Sequence, residues 1–497
     1  MNNDKTAIVI GAGIGGITTA IYLARSGYKV NIYEKNALPG GRCGQIIRDG
    51  HRFDIGATIF LMPEIYRKVF KTLGLNLETS LATTPLTDLY KIYYPDGTVI
   101  TFTTDNNVLK EQLEAIEKGS YAKSQKLIKE GYAFFQLALE RLIGRNFYYL
   151  FEFVTPKNAL MLMKLKTYIR HVRYIRRFFS HPHLQKAFTF QNIYVGQDPY
   201  KASALFSMIP ATELTEGSLF PSGGMFSITE KLVEVAKDLG VQFHFNTAVL
   251  KIDTEGKRAR NVVLEDRSKA SADVVIANAD LPYVYREMLP DSFCSRWISR
   301  LKYTCSAIVF HWGLDKTYTQ LGHHSVFLSA EYRNNLKKVF RDHSLSRNPS
   351  FYIHAPVRSD PTAAPSGHDT LSAIIPCGHL DEKDDNKWNE LKKSTRTYIF
   401  KRLKNLGFAD LEEHIKFEIC YTPQTWKSIY NLSRGATFGS LGHNILQMGY
   451  FRPHNKHGKY RNLYFVGGST HPGNGIPLVL LSAKLTSERI LNETNNE

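Results

Sequence analysis

Near the N-terminus a β-branched run, Thr6-Ala7-Ile8-Val9-Ile10, passes directly into Gly11-Ala12-Gly13-Ile14-Gly15-Gly16 and then into ITTAIYLARS, whose apolar residues recur at helical spacing as far as Gly27. The order strand, glycine-rich turn, helix leaves few folds open. Gly11 permits the sharp turn and Gly13, with Gly15 beside it, lets a pyrophosphate approach bare backbone. Gly16 allows the helix to pack closely on the strand, and the helix N-terminus supplies unpaired N–H donors. A second strand, KVNIYE, ends in Glu34, 18 residues beyond Gly16, where a carboxylate would accept the hydroxyls of a ribose. That carboxylate disfavours a 2′-phosphate, although the neighbouring Lys35 works the other way.

Glu34 is followed by Lys35-Asn36-Ala37-Leu38-Pro39-Gly40-Gly41-Arg42. The glycine pair exposes backbone and Arg42 offers forked, charge-assisted donors, so Lys35, Gly41 and Arg42 join the candidates for holding a diphosphate. At the far end the chain reads NLYFVGGSTHPGNGIPLVLLSAKL. It predicts a strand, a constrained turn from His471 to Gly475, and a helix opening at Ile476-Pro477 whose first turn presents free N–H groups. Gly467, Gly468, Gly475 and Ile476 are candidates for the same ligand.

Fingerprint, acid and Gly-Gly-Arg together resemble the flavoprotein family of amine oxidases, protoporphyrinogen oxidases and carotenoid desaturases. The C-terminal segment is similar to the closing signature of bacterial phytoene-desaturase-type carotenoid desaturases. Segments Phe53 to Tyr66, Leu219 to Val249 and Ala272 to Pro282 agree with that resemblance. It implies FAD as cofactor, with Thr58 and Asn278 near it and the backbone of Val249 meeting the adenine; Ala277 lies beside Asn278. Departures from the family pattern are Ala57 where many members have Pro, Asn474 where Gly or Ala is usual, and Leu478 where many phytoene desaturases have Gly. Leu478 resembles the branch that desaturates the 3,4 bond of hydroxylated carotenoids.

The implied activity is FAD-dependent carotenoid desaturation by hydride transfer to the flavin, with 3,4-desaturation of a 1-hydroxylated, γ-carotene-like or acyclic carotenoid as the first expectation. Phytoene or dehydrosqualene desaturation and carotenoid isomerisation, which needs reduced flavin and no net oxidation, are alternatives. A flavin-independent isoprenoid-binding chaperone of related fold is a reading from another class, and an amine or porphyrinogen oxidase would share only the nucleotide domain. The proton acceptor is not evident in the sequence. His471 is the first candidate, with Asp54 and Glu216 behind it.

A net charge of +17 favours an anionic partner: cofactor, acidic lipid surface or nucleic acid. From Phe147 to Phe179, Leu, Met, Phe and Tyr interleave with Lys164, Lys166, Arg170, Arg173, Arg176 and Arg177. Helical spacing there predicts an apolar stripe with a basic flank, as on an interfacial helix, and equally fits an ordinary helix with a solvated charged face. No nucleic-acid module accompanies it. A C30–C40 polyene, at roughly 0.8 kcal/mol per buried CH₂-sized unit, hardly leaves a bilayer, so its enzyme should come to the membrane. No signal peptide and no run long enough to span a bilayer are expected, which implies a cytoplasmic protein peripherally attached to the cytoplasmic membrane. Five scattered cysteines without metal spacing imply reduced thiols and no metal.

The expected architecture is α/β: a doubly wound, Rossmann-like FAD domain (1–75, 219–290 and 455–497) with an inserted α+β substrate domain (76–115 and 291–454) and a basic, helical, membrane-facing region (116–218). Lys251 to Ala270 reads as an exposed hairpin, and Asp381 to Lys393 as a solvated turn and helix start.

Overall fold

The first strand, Thr6–Ile10, divides its side chains between two layers by simple alternation: Ala7 and Val9 enter one apolar cluster, Ile8 and Ile10 another. The computed structural model describes residues 5–289, 292–380 and 387–494. The strand is central in a five-stranded parallel sheet with spatial order Leu463–Phe465, Val274–Ala277, Thr6–Ile10, Lys29–Tyr33, Gln242–His244. Helices Ile14–Arg25, Phe226–Asp238 and Ile476–Thr494 cover one face. The other face is covered by a three-stranded antiparallel sheet, Val249–Glu255, Arg258–Leu264 and Lys269–Ser271, with the helical turns of 281–288. The hairpin expected at Lys251 to Ala270 is therefore present, but its inner residues Ile252 and Val262 are fully buried.

A seven-stranded sheet carries the rest. Its order is Ile415–Tyr421, Ser306–Leu314, Asp369–Cys377, Phe351–His354, His324–Phe327, Asp88–Tyr93, Val99–Thr103, antiparallel except where Asp88–Tyr93 runs beside His324–Phe327. Period-two alternation again sets the layers: Ile308, Phe310 and Trp312 pack with Trp388, Ile399 and Leu403 of the helix Lys387–Lys404. Residues 381–386 of the expected charged turn lie outside the described residues.

The basic segment does not form one helix. It breaks into Leu150–Phe153, Pro156–Lys164 and His171–Ile175. Pro156 takes the first helical position and forces Thr155 into an extended conformation (φ −133°, ψ 152°), where its hydroxyl caps Asn158. Lys166 turns inward to pair with Glu130 at 2.7 Å, while Lys164, Arg170, Arg173, Arg176 and Arg177 stay exposed.

Candidate functional site

The glycine turn and the Gly-Gly-Arg loop are packed on each other. Gly11 adopts φ 99°, open to glycine, and its N–H reaches the Tyr33 carbonyl at 2.8 Å. Gly40 donates to the Ala12 carbonyl at 2.8 Å, and a β-carbon on Gly41 would lie 3.8 Å from Gly13 Cα. Gly16 supports this from behind: a β-carbon there would sit 2.3 Å from the Gly11 carbonyl oxygen, so it is a packing glycine and not part of the cavity wall.

Glu34 ties the two loops together. Its Oε2 accepts from the Ala12 N–H at 2.8 Å, and its Oε1 accepts from the Asn36 backbone and side chain at 2.9 and 3.0 Å. Arg42 donates from Nη1 to the Thr437 carbonyl at 2.9 Å, with the Asp280 carboxylate opposing the loss of charge that burial favours. Lys35 bonds the Ser428 carbonyl and Asn431 Oδ1 at 3.0 and 2.9 Å, so its ammonium is largely committed to the opposite wall.

Asn278 stands where the two glycine motifs meet. Its Nδ2 donates to the Val466 carbonyl at 3.0 Å, while its buried Oδ1 has no partner. β-Carbons added at Gly13, Gly15 or Gly467 would come within 2.7, 2.9 and 3.0 Å of its amide. The helix starting at Ile14 has no side-chain cap, and the helix starting at Ile476 meets it through Val479 on Gly15. Two helix N-termini thus open on one space.

That space is a cavity of about 3200 Å³ of atom-free volume, part of it open to solvent. Gly11, Gly13, Gly15, Glu34, Lys35, Gly41, Arg42, Thr58, Val249, Asn278, Gly467, Gly468, Gly475 and Ile476 all line it, together with Leu478 and Asn474. A bare-backbone turn, a fixed carboxylate, two helix N-termini and an orphaned amide oxygen fit the diphosphate, ribose and ring of a flavin dinucleotide. Much of the remaining wall is apolar, built from the helical region and from Val309, Ile374 and Val326 of the seven-stranded sheet.

The proposed acid–base residues fare differently. His471 faces away from the cavity: Nε2 donates to the Arg145 carbonyl at 3.0 Å, its ring meets Phe147 edge-on, and burial pushes its pKa down to about 4. A proton acceptor must reach the reacting atom, and at this position the imidazole latches the turn instead. Asp54 is buried under the backbone N–H groups of Met225 and Phe226; burial pushes its carboxyl up to about 7, and it too is outside the cavity wall. Glu216 lies in a separate small hollow, accepting from the Tyr132 hydroxyl at 3.2 Å.

Two features had no signal in the sequence. His443 lines the cavity fully buried, with neither ring nitrogen partnered. Tyr352 lines it from the sheet, its hydroxyl 3.0 Å from Thr58 Oγ1 and 2.7 Å from His324 Nδ1. Behind Tyr352, nitrogens of the buried residues His323, His324 and His354 lie within 4.8 Å of one another. The four described cysteines Cys43, Cys305, Cys377 and Cys420 are free thiols.

Comparison with known proteins agrees with this geometry. The family described as flavin-containing amine oxidoreductase matches residues 14–491. A zeta-carotene-forming phytoene desaturase of Myxococcus xanthus is 36% identical over 489 residues, covering 98% of this chain and 94% of its own. A phytoene desaturase of Fusarium fujikuroi is 34% identical over 512 residues (99% and 90%), and a 4,4'-diapophytoene desaturase of Staphylococcus aureus 32% identical over 501 (98% of each). Among solved structures, a putrescine oxidase bound to putrescine superposes with a TM-score of 0.64 at 16% identity, covering 98% of this chain and 99% of its own. It shares the fold.

Proposed function

The chain belongs to the flavin-containing amine oxidoreductase family, in its carotenoid-desaturase branch, and from that premise we propose that it desaturates an acyclic, phytoene-like polyene drawn from a membrane surface. It is an FAD-dependent oxidoreductase acting on CH–CH groups. FAD, when bound, supplies the electron acceptor that removal of two hydrogens from unactivated carbons requires.

A single observation carries the substrate reading: the dinucleotide cradle and a long apolar wall belong to one continuous cavity. Glu34, Arg42 and the two helix N-termini hold the cofactor at one end. Side chains such as Leu142, Phe190, Ile193 and Phe206 offer the other end nothing but apolar surface, which orients a hydrocarbon by shape and excludes water. Ion pairing, the means by which a cationic amine would be held, is absent from that part of the wall as described.

Membrane docking rests on the broken basic segment. Phe151 (71% exposed), Tyr168 (69%), Val154 and Met163 project beside five exposed cations. At roughly 1 kcal/mol per cation near an anionic leaflet, that set suffices for reversible attachment. Phe153 of the same segment packs at Gly449 and Leu142, both near or in the cavity wall, so the patch adjoins the apolar end. No helix among the described residues is long and apolar enough to cross a membrane.

A second reading, 3,4-desaturation of a 1-hydroxylated carotenoid, is favoured by Leu478, which occupies the cavity wall where its bulk limits how the chain lies. Both are tested by expressing the chain in cells supplied in turn with phytoene, diapophytoene and hydroxylated acyclic carotenoids and reading pigment spectra. Lengthened conjugation from phytoene-type substrates supports the first reading, and lengthening confined to hydroxylated ones supports the second. No lengthening with any of them rejects both.

A further inference from the structure

The seven-stranded sheet arranges the cavity face in rows. Val309, Ile374, Tyr352 and Val326 are cross-strand partners in one row, all in the cavity wall. Two residues along each strand, on the same face, the next row is His311, Ser372, His354 and His324. A polar row of this kind behind an apolar wall is costly unless it is fully bonded, and it is not: His324 Nε2 and His354 Nδ1 are buried without partners.

The bonds that do exist fall into two groups, Thr58–Tyr352–His324 and His354–His323–Ser359, joined only by ring stacking. Thr58 Oγ1 and Tyr352 Oη are 3.0 Å apart, and Tyr352 Oη and His324 Nδ1 2.7 Å apart. The His324 ring stacks on that of His354 with centroids 5.5 Å apart. His354 Nε2 and His323 Nε2 are 3.2 Å apart, and His323 Nδ1 is 2.8 Å from Ser359 Oγ, on a residue only half-buried.

We propose that Tyr352 is the proton acceptor of the desaturation and that His324, bonded to its hydroxyl, takes the phenol's own proton in exchange. This rests on the desaturase reading above. In the step, a substrate C–H bond breaks, its electron pair becomes the second bond of the new C=C, and its proton bonds to Tyr352 Oη. At the same time the phenol's own proton passes to His324 Nδ1, leaving Tyr352 neutral and His324 cationic. FAD, when bound, would supply the two-electron oxidant for the other hydrogen, which leaves the adjacent carbon with its electron pair. Burial raises the phenol's pKa and lowers that of His324, so both rest uncharged; a carboxylate would have to be desolvated beside a hydrocarbon. Tyr352 is the catalytic residue, and His324 is the positioning residue that receives its proton.

The test compares wild type, Tyr352→Phe and His324→Gln, all reconstituted with FAD on a polyene the wild type desaturates. The expected result is a fall in kcat of about 100-fold or more in both variants with KM within about threefold, the size of effect general acid–base groups contribute. A second readout is independent of turnover: an isoprenoid chain bearing a tertiary ammonium, whose N–H would donate to Tyr352 Oη, should bind Tyr352→Phe about tenfold more weakly than wild type. His324→Gln preserves a hydrogen bond to the phenol but cannot carry a proton, so it answers the question should Tyr352→Phe lose flavin. A kcat within threefold of wild type in a flavin-retaining variant, or unchanged ammonium binding by Tyr352→Phe, overturns the proposal. So does a comparable loss confined to His443→Ala. Failure of the wild type on every polyene overturns instead the desaturase reading beneath it.

Discussion

The amide oxygen of Asn278 lies 2.7 Å from the point a β-carbon on Gly13 would occupy, although the two residues belong to different strand-to-loop junctions of the parallel sheet. The side-chain amide also supports the Val466 carbonyl, so one residue joins the first glycine motif to the last. Gly13 is thus required by a protein neighbour as well as by a pyrophosphate. Gly13→Ala should lower FAD affinity by at least about tenfold. Gly13→Ala/Asn278→Ala should recover thermal stability without recovering that affinity, as read by unfolding temperature and flavin titration of the apoprotein.

Arg452 is buried and has no carboxylate partner among the described residues; its guanidinium clamps the carbonyls of Thr470 (2.7 Å), Gly468 (2.6 Å), Gly442 (3.2 Å) and Gln447 (3.4 Å). Burial pushes its pKa down to about 9. Because two of those carbonyls belong to the C-terminal turn, Arg452→Ala should cost on the order of 3 kcal/mol and release FAD. Arg452→Lys, which lacks the fork, should rescue only part of either loss in urea denaturation and flavin retention.

Glu213 accepts the Tyr90 hydroxyl at 3.0 Å in the core, and burial pushes its carboxyl up to about 8. Between the ordinary carboxyl pKa and about 8 the folded chain holds a proton that the unfolded chain has released. This group's contribution is therefore complete at acid pH and is lost as pH rises through 8. The loss is on the order of 4 kcal/mol. Urea unfolding of wild type should weaken from pH 5 to 8.5 by more than that of Glu213→Gln, and the two should converge at the acid end.

Phe151 and Tyr168 should act in membrane contact and not in folding. Phe151→Ser/Tyr168→Ser should reduce co-sedimentation with vesicles containing anionic lipid by about tenfold while leaving the unfolding temperature unchanged. High salt should release the wild type only partly, because the apolar contribution remains.

The sequence determined by itself the parts whose physics is local. A strand that must turn sharply needs Gly11 at φ 99°, a helix that must lie on it needs Gly16, and an acid at the end of the next strand needs only chain geometry; each was readable from spacing. Gly11, Gly13, Gly15, Glu34, Gly41, Arg42, Gly467, Gly468 and Gly475 line one cavity. Local reading failed where a side chain's direction or partner is set elsewhere. His471 was placed near the flavin by its motif, yet its ring is claimed by the Arg145 carbonyl, 326 residues away. The basic segment has helical periodicity, but Pro156 divides it and Glu130 draws Lys166 inward. Only the tertiary structure put Tyr352 opposite Thr58, 294 residues distant, and aligned three histidines behind it, because sheet register decides which residues share a face and a single sequence does not encode strand partners.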